Sequence, residues 1–441
     1  MTNNNISRCD VLVAGGGPAG STVATLLARQ GLTVQLVERD RHPRFHIGES
    51  LLPMNRPILE RLGALEKVEA MGVRKLGADF PTSDGQRYST YLFARSLRPT
   101  APYAWQVRRD QFDEMLFRHA AENGAQTREG VRVQNVRFDD GSVQAELVDA
   151  AGAVETIHAR YFVDASGRDT LLGGELGLKK KHSQHQSAAL FAHFSGAVRR
   201  PGEDQGNISV YRFAHGWVWM IPLPDGLMSV GAVCWPEYLK QRRGRGSEFL
   251  IETLRAVPGV WERLEHAEIV GNFHVTGNYS YVCDPISGPR WLLAGDAIAF
   301  VDPIFSSGVY LAMNSAERAA EVVAGALREP AHEAALQKKY ARHVSEGLRM
   351  FSWFIFRFTS PTMAQLFANP RNALRLEEAV ISMLAGDVFR DDGVRWRLFL
   401  FRIVYRLTSL SMLGKQWAAA TFRRRQTGEK FSGGTTSQDH V

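Results

Sequence analysis

The sequence predicts an α/β fold: a doubly wound nucleotide-binding domain with an inserted β-sheet portion, followed by an α-helical C-terminal region. Three observations carry this. Strand-like and helix-like apolar patterns alternate over residues 10–38, a glycine-rich turn joins the first pair, and two later apolar runs, at 161–164 and 291–294, also lead into acidic turns. The 441 residues leave room for roughly two or three domains. A composition of 44% hydrophobic and 22% charged residues is that of an ordinary globular chain and excludes a disordered or collagenous one.

Residues 10–14 (DVLVA) read as a buried strand, and residues 33–37 (TVQLV) as a second one ending at Glu38. The helix between them stops at Gly31. The turn is Gly15-Gly16-Gly17-Pro18-Ala19-Gly20, a GxGxxG pattern. Lying between a strand and a helix, with an acidic residue about twenty positions on, it has the context of a dinucleotide fingerprint. Gly15 permits the tight turn, Gly17 lets the backbone approach a pyrophosphate, and Gly20 lets the helix pack against the strand. The helix N-terminus presents free N–H groups to phosphate, and Glu38 would accept from ribose hydroxyls. Ala19 and Arg39 belong to the same predicted contact set. An ADP-containing cofactor is expected; the alternative is a structural glycine turn in an unrelated α/β domain.

Further along, residues 131–138, 143–148 and 154–158 read as a β-meander separated by polar glycine turns. Strand patterns return at 187–194, 207–213, 217–222 and 228–234, and a helical pattern holds from Ser315 to about Phe422. The segments 161–167 (YFVDASG) and 291–296 (WLLAGD) would end at the same sheet edge as the first strand, so one cofactor would be held by distant parts of the chain. Three scattered cysteines without a CxxC pair suit a reducing cytoplasm. The apolar stretch 11–28 is broken by glycines and proline, and no signal-peptide pattern precedes it. The histidines show no zinc-like pairing with cysteine, and His182 and His185 read as a surface loop, so no metal is expected.

Taken together, GxGxxG, Asp164 with Gly167, Gly295-Asp296 and Arg109-Asp110-Gln111-Phe112-Asp113 resemble the FAD-dependent monooxygenase superfamily. That resemblance implies a Rossmann-like, p-hydroxybenzoate-hydroxylase-like FAD domain. It implies that Asp296 contacts the ribityl chain and that Arg109 approaches the phosphates or ribityl chain. The residues alone read 109–113 as a helix start capped by Asp110 with Phe112 buried. Trp217-Val218-Trp219-Met220-Ile221-Pro222 matches W-x-W-x-I-P, a signature of flavin-dependent halogenases; otherwise it is a strand with both indoles in the core. Lys75, in RKLGADF, resembles that family's catalytic lysine, for which a buried amine of lowered pKa is suited. By the same resemblance Glu49 and Ser50 lie near the flavin ring, and the alternative for them is a capped helix start. Ser307 and Gly308 bind halide, Gly308 also borders the cofactor, and Trp217, Trp219 and Phe305 line a tunnel to Lys75.

The implied reaction uses FADH2, O2 and chloride or bromide. A flavin hydroperoxide oxidises the halide, and hypohalous acid passes to Lys75 for electrophilic substitution. Tryptophan halogenases carry a glutamate where this chain has Phe305, which points to the phenol and pyrrole branch, with a substrate free or tethered to an acyl carrier, in antibiotic or pigment biosynthesis. The absence of a second dinucleotide fingerprint calls for a separate flavin reductase. The rival readings are a flavin monooxygenase that hydroxylates an aromatic or polyene, and a catalytically silent flavin-fold protein that binds an aryl carrier protein. Residues 1–345 are expected to form the FAD domain, with substrate portions at about 75–110 and 170–275. Residues 346–425 form the helical region and 426–441 a disordered tail.

The net charge of +7 lies entirely within residues 390–430, which hold ten basic and three acidic side chains. Interleaved Trp, Leu, Phe and Ile make this an amphipathic helix rather than a nucleic-acid patch. It reads either as a helix packed on the body or, through Arg423, Arg424 and Arg425, as a dock for an acidic carrier protein or an anionic membrane surface.

Overall fold

The computed structural model describes residues 6–82, 84–98, 101–139, 141–389 and 392–427. The strand Ile6–Ala14 sits inside a mostly parallel sheet, flanked by Val34–Glu38 and Val154–Asp164 and extended by Gln126–Glu129 and Trp291–Leu293. Every residue of Val34–Glu38 is buried, as a strand covered on both faces requires. Val131–Phe138 and Val143–Asp149 pair antiparallel, and the second of these pairs with residues 154–159.

Residues 154–158 and 161–164, separate in the sequence reading, form one strand, Val154–Asp164. The interruption in the pattern is Arg160, whose guanidinium leaves the sheet to pair with Asp10 at 2.9 Å. In register, Ala14 lies opposite Val37 and Asp164, and Asp164 opposite Leu293. Three strands from distant parts of the chain therefore end side by side, and the turns that follow them share one edge.

The second sheet runs, in spatial order, Ala299–Phe300, Glu268–Cys283, Lys179–Ser195, Met228–Cys234, Gly216–Pro222, Ile208–Phe213, Gly77–Pro81 and Tyr88–Leu92. It extends past the expected limit of 275. Glu268–Cys283 escaped the sequence reading because two glycines and several polar residues obscure its alternation; Gly271 has φ +74° near a register shift against Lys179–Ser195. Gly216–Pro222 is buried on both faces. Trp217, Trp219 and Ile221 face the interior shared with the C-terminal helices, and Val218 and Met220 face the helices Gly246–Arg255 and Pro258–Leu264.

The helical part begins at Ser307, not Ser315, with Ser307–Arg328 packed on Pro18–Ala28. Glu333–Ile355 is one continuous helix, so the expected boundary at 345/346 falls inside it. Pro361–Ala368, Leu376–Leu384, Asp392–Ser411 and Leu413–Thr427 follow. Phe351, Phe354, Leu398 and Phe401 share a core with Leu51, Phe80 and Trp219, so these helices are part of the body. Gln426 and Thr427 close the last helix; the rest of the expected tail, with Arg390 and Asp391, lies outside the described residues. Among the described residues no helix is long and apolar enough to cross a membrane, and no cluster of His, Cys, Asp and Glu could hold a metal.

Candidate functional site

A cavity of about 670 Å³ opens at the shared strand edge. At one end lies the glycine turn. Gly15 has φ +106°, and a Cβ there would stand 2.2 Å from the Ala165 carbonyl oxygen. A Cβ on Gly20 would stand 1.9 Å from the Gly15 carbonyl oxygen and 3.3 Å from Ala165 Cβ, so this glycine lets the helix approach the ends of both strands. Gly17 differs: a Cβ there meets only Arg44 Nη2 at 3.5 Å and Asp113 Oδ2 at 4.0 Å, leaving an open cradle. The helix Pro18–Ala28 starts at this cradle with no side-chain cap. Ala19 lies beside it on the cavity wall.

Glu38 braces the turn. Its Oε2 accepts the Gly16 N–H at 2.8 Å and Arg44 Nη2 at 3.0 Å, and its Oε1 accepts the Asp40 N–H. Arg39 borders the cavity and pairs with Asp169.

Arg109 lines the cavity, and its nitrogens are held by the protein around it. Its Nε and Nη2 grip Asp113 at 2.8 and 3.0 Å, and Nη1 donates to the Ile47 carbonyl at 2.6 Å. With all three nitrogens committed, Arg109 shapes the 47–50 loop on the cavity wall. Asp110, expected as a cap, lies in the first turn of the helix Arg109–Glu122 and accepts both the Gln111 N–H and Arg108, while Phe112 is buried. Burial acts to raise the Asp113 pKa, but Arg109 and then Arg44 hold it below the usual carboxylate range. Asp113→Asn removes the carboxylate partner of Arg109 and one of the two held by Arg44. It is expected to destabilise the apoprotein by about 3–5 kcal/mol in urea unfolding.

Asp164 does not reach the cavity. Its fully buried carboxylate accepts the Ser166 N–H at 2.9 Å and the Leu172 N–H at 2.8 Å, so it holds the turn while Gly167 and Arg168 border the cavity. Arg168 is anchored on Thr276 and the Gly277 carbonyl, in the strand the sequence reading missed. Asp296 faces the cavity, and burial pushes its pKa up to about 6 against the pull of Arg168 and Arg109.

The middle of the cavity is walled by Trp217, Trp219 and Ile221. The indole centroids are 5.7 Å apart, and Trp219 Nε1 donates to Ser229 Oγ at 3.1 Å. Trp217 Nε1 reaches Asp302 Oδ2 at 3.4 Å, and burial lifts Asp302 to about 6. Core packing and cavity lining thus fall to the same face of this strand. In the loop before Ser307–Arg328, Ser306 adopts φ +57°, and Ser306 and Gly308 border the cavity. Ser307 is buried behind them, its Oγ without a hydrogen bond among the described residues. Phe305 leaves the cavity wall. It packs against Phe358, Phe367 and Phe80 at 5.4, 6.2 and 6.4 Å because its neighbours in the fold are aromatic.

Lys75 ends the short strand Val73–Lys75 and is only 1% exposed. Its Nζ donates to Ser50 Oγ at 2.9 Å and to the Leu51 carbonyl at 3.1 Å, and it lies 5.3 Å from the Phe93 ring centre. Burial lowers its pKa to about 7. Ser50 itself borders the cavity, so one residue links the cavity wall to the lysine. Beside it, Glu49 Oε1 pairs with His193 Nε2 at 2.7 Å, and Phe45 stacks on His274 at 3.8 Å. Arg44, Arg168, His193 and His274 carry no sequence signal, since each finds its partners only across elements.

The match to the FAD binding domain family covers residues 8–346. A tryptophan 2-halogenase of Chondromyces crocatus is 40% identical over 324 residues, which are 72% of this chain and 61% of that protein. A 1H-pyrrole-2-carbonyl peptidyl-carrier-protein chlorinase of Pseudomonas fluorescens is 31% identical over 404 residues, 86% of this chain and 89% of that one. The chain belongs to the flavin-dependent halogenases. The halogenase superposes on the myxobacterial chondrochloren halogenase with a TM-score of 0.75 at 30% identity, over 92% of this chain and 97% of that one. It binds FAD, and the open Gly17 cradle, the uncapped helix and the cavity volume fit that cofactor.

Proposed function

We propose that the halogenase places an electrophilic halogen on an electron-rich phenol or pyrrole, free or carrier-tethered, with Lys75 as the catalytic residue. The observation that carries this is the buried Lys75 amine, hydrogen-bonded to Ser50 at the cavity wall with no carboxylate among its hydrogen-bond partners in the described residues. When bound and reduced, FAD supplies hypohalous acid from O2 and halide. The Gly15–Gly20 turn holds the phosphates, Asp296 and the loop braced by Arg109 meet the rest of the cofactor, and Ser307 with Gly308, at the start of the helix Ser307–Arg328, offers backbone donors to halide. Ser307 Oγ, buried with no hydrogen bond among the described residues, adds a side-chain donor. Trp217 and Trp219 keep the passage apolar and exclude water. Lys75, with a pKa of about 7, is partly protonated at neutral pH and can donate its proton to the oxygen from which the halogen departs.

The substrate class rests on position 305, where tryptophan halogenases carry a glutamate. Phe305 packs instead among Phe80, Phe358 and Phe367, so this position supplies no carboxylate for a cationic indole, which favours a substrate whose own oxygen or nitrogen carries that charge. The name of the Pseudomonas relative supports a carrier-tethered pyrrole, whereas that of the Chondromyces relative makes free tryptophan the competitor. Reduced FAD comes from a separate reductase. The test supplies a flavin reductase, chloride or bromide, and a panel of phenols, pyrroles and tryptophan, free and carrier-bound, read by mass spectrometry. A halogenated phenol or pyrrole is expected. Halogenation of tryptophan alone overturns the substrate reading, and oxygen from heavy-isotope O2 in the product without halogen overturns the reaction.

A further inference from the structure

The helix Asp392–Ser411 carries two apolar faces. Val394, Leu398 and Phe401 are buried against the body. At 100° per residue, Trp396, Phe399, Ile403, Leu407 and Leu410 fall within a sector of about 80° on the opposite side. All five are exposed, Phe399 at 60% and both Leu407 and Leu410 at 61%. The stripe continues past the elbow through Leu413 to Trp417, which is 74% exposed. Arg395 and Arg406 project from positions beside the stripe, and Lys415 is exposed next to its far end. Between Gly393 and Thr427 the sequence holds eight basic residues and no acidic one.

We infer that this outer face docks on an anionic lipid surface. Large exposed apolar patches on a soluble body mark an interaction site. Here the apolar stripe is edged by cationic side chains and carries an indole near each end, the pattern of a helix lying in the headgroup boundary. A second copy would set two positive faces against each other. Residues 428–441 hold only Phe431 and Val441 as large apolar side chains, too few to cover the stripe. Arg423, expected on this surface, turns inward: it donates to Thr359 Oγ1 at 3.1 Å and lies over the Trp235 ring at 5.6 Å. Charge reversal at 423–425 would therefore disturb packing, and the test belongs on the outer face.

The FAD-loaded full chain is co-sedimented with vesicles of about three parts phosphatidylcholine to one part phosphatidylglycerol, and with phosphatidylcholine alone. Binding to the anionic vesicles, weakened by salt, is expected. Arg395→Glu with Arg406→Glu should lower partition at least ~10-fold. Phe399→Ser with Leu407→Ser should lower it similarly, with FAD content and Tm unchanged because these side chains do not enter the core. Absence of binding to anionic vesicles, or binding that neither variant weakens, overturns the inference. So does a dimer that Phe399→Ser dissolves, or capture of an acidic protein by a chain that ignores vesicles.

Discussion

Lys75→Met is expected to abolish halogenation, by at least about a thousandfold, while the protein keeps its FAD and continues to oxidise the reduced cofactor. Methionine fills a similar volume but cannot donate to Ser50 Oγ or to a hypohalous acid. Full halogenation by this variant would remove Lys75 from the chemistry. The wild-type pH profile separates two roles for the amine. With a pKa of about 7, donation by the ammonium makes activity fall as pH rises through that value, and attack by the neutral amine makes it rise. Stability supplies a readout independent of turnover. The folded pKa lies below the unfolded value of 10.5, so between about 7 and 10.5 the unfolded chain binds the extra proton. Wild-type stability should therefore rise with pH across that window relative to Lys75→Met, by roughly 3–5 kcal/mol, and stay level below it. Thermal melts of the two apoproteins at pH 7 and near pH 10 check the sign.

Gly17→Ala and Gly20→Ala should part company. The added methyl at Gly20 collides with the Gly15 carbonyl at 1.9 Å, so both the apoprotein Tm and FAD retention should fall sharply. At Gly17 the methyl meets only the end of Arg44, and φ −79° suits any residue, so the apoprotein should melt as the wild type does. Yet the methyl occupies the cradle where a pyrophosphate would approach the backbone, and FAD affinity should fall at least ~100-fold. Equal melting of both variants would contradict the packing account, and undiminished FAD binding by Gly17→Ala would move the phosphates elsewhere. Fluorescence titration with FAD measures both.

The contrast between these glycines shows which parts of the site were legible. Gly15, Gly17, Gly20 and Glu38 lie within one strand–turn–helix–strand unit, where contacts are local in sequence and spacing carries geometry. The Trp217 and Trp219 alternation was likewise readable, because a strand puts every second residue on one face. At Asp164 and Arg109 the sequence named the residue but not the partners that hold it. A sequence identifies an acid or a guanidinium at a turn, but whether its atoms face the ligand depends on which backbone groups crowd beside it. Asp164 met the Ser166 and Leu172 N–H groups, and Arg109 met Asp113 and the Ile47 carbonyl. Phe305 was drawn from the cavity by Phe358 and Phe367, which lie over fifty positions away.

By itself the sequence determined the α/β class, the phosphate turn, the run of apolar strands meeting at one edge and the concentration of positive charge near the C-terminus. Each follows from short-range periodicity or composition, which local chain geometry converts directly into structure. Tertiary structure decided that Ser50 joins Lys75 to the cavity, that Lys75 loses its charge near neutral pH through burial, and that Arg423 turns inward while Phe399 and Leu407 face out. Those properties depend on desolvation and on partners brought together by long-range packing, so they exist only once the two sheets and the C-terminal helices have closed on one another.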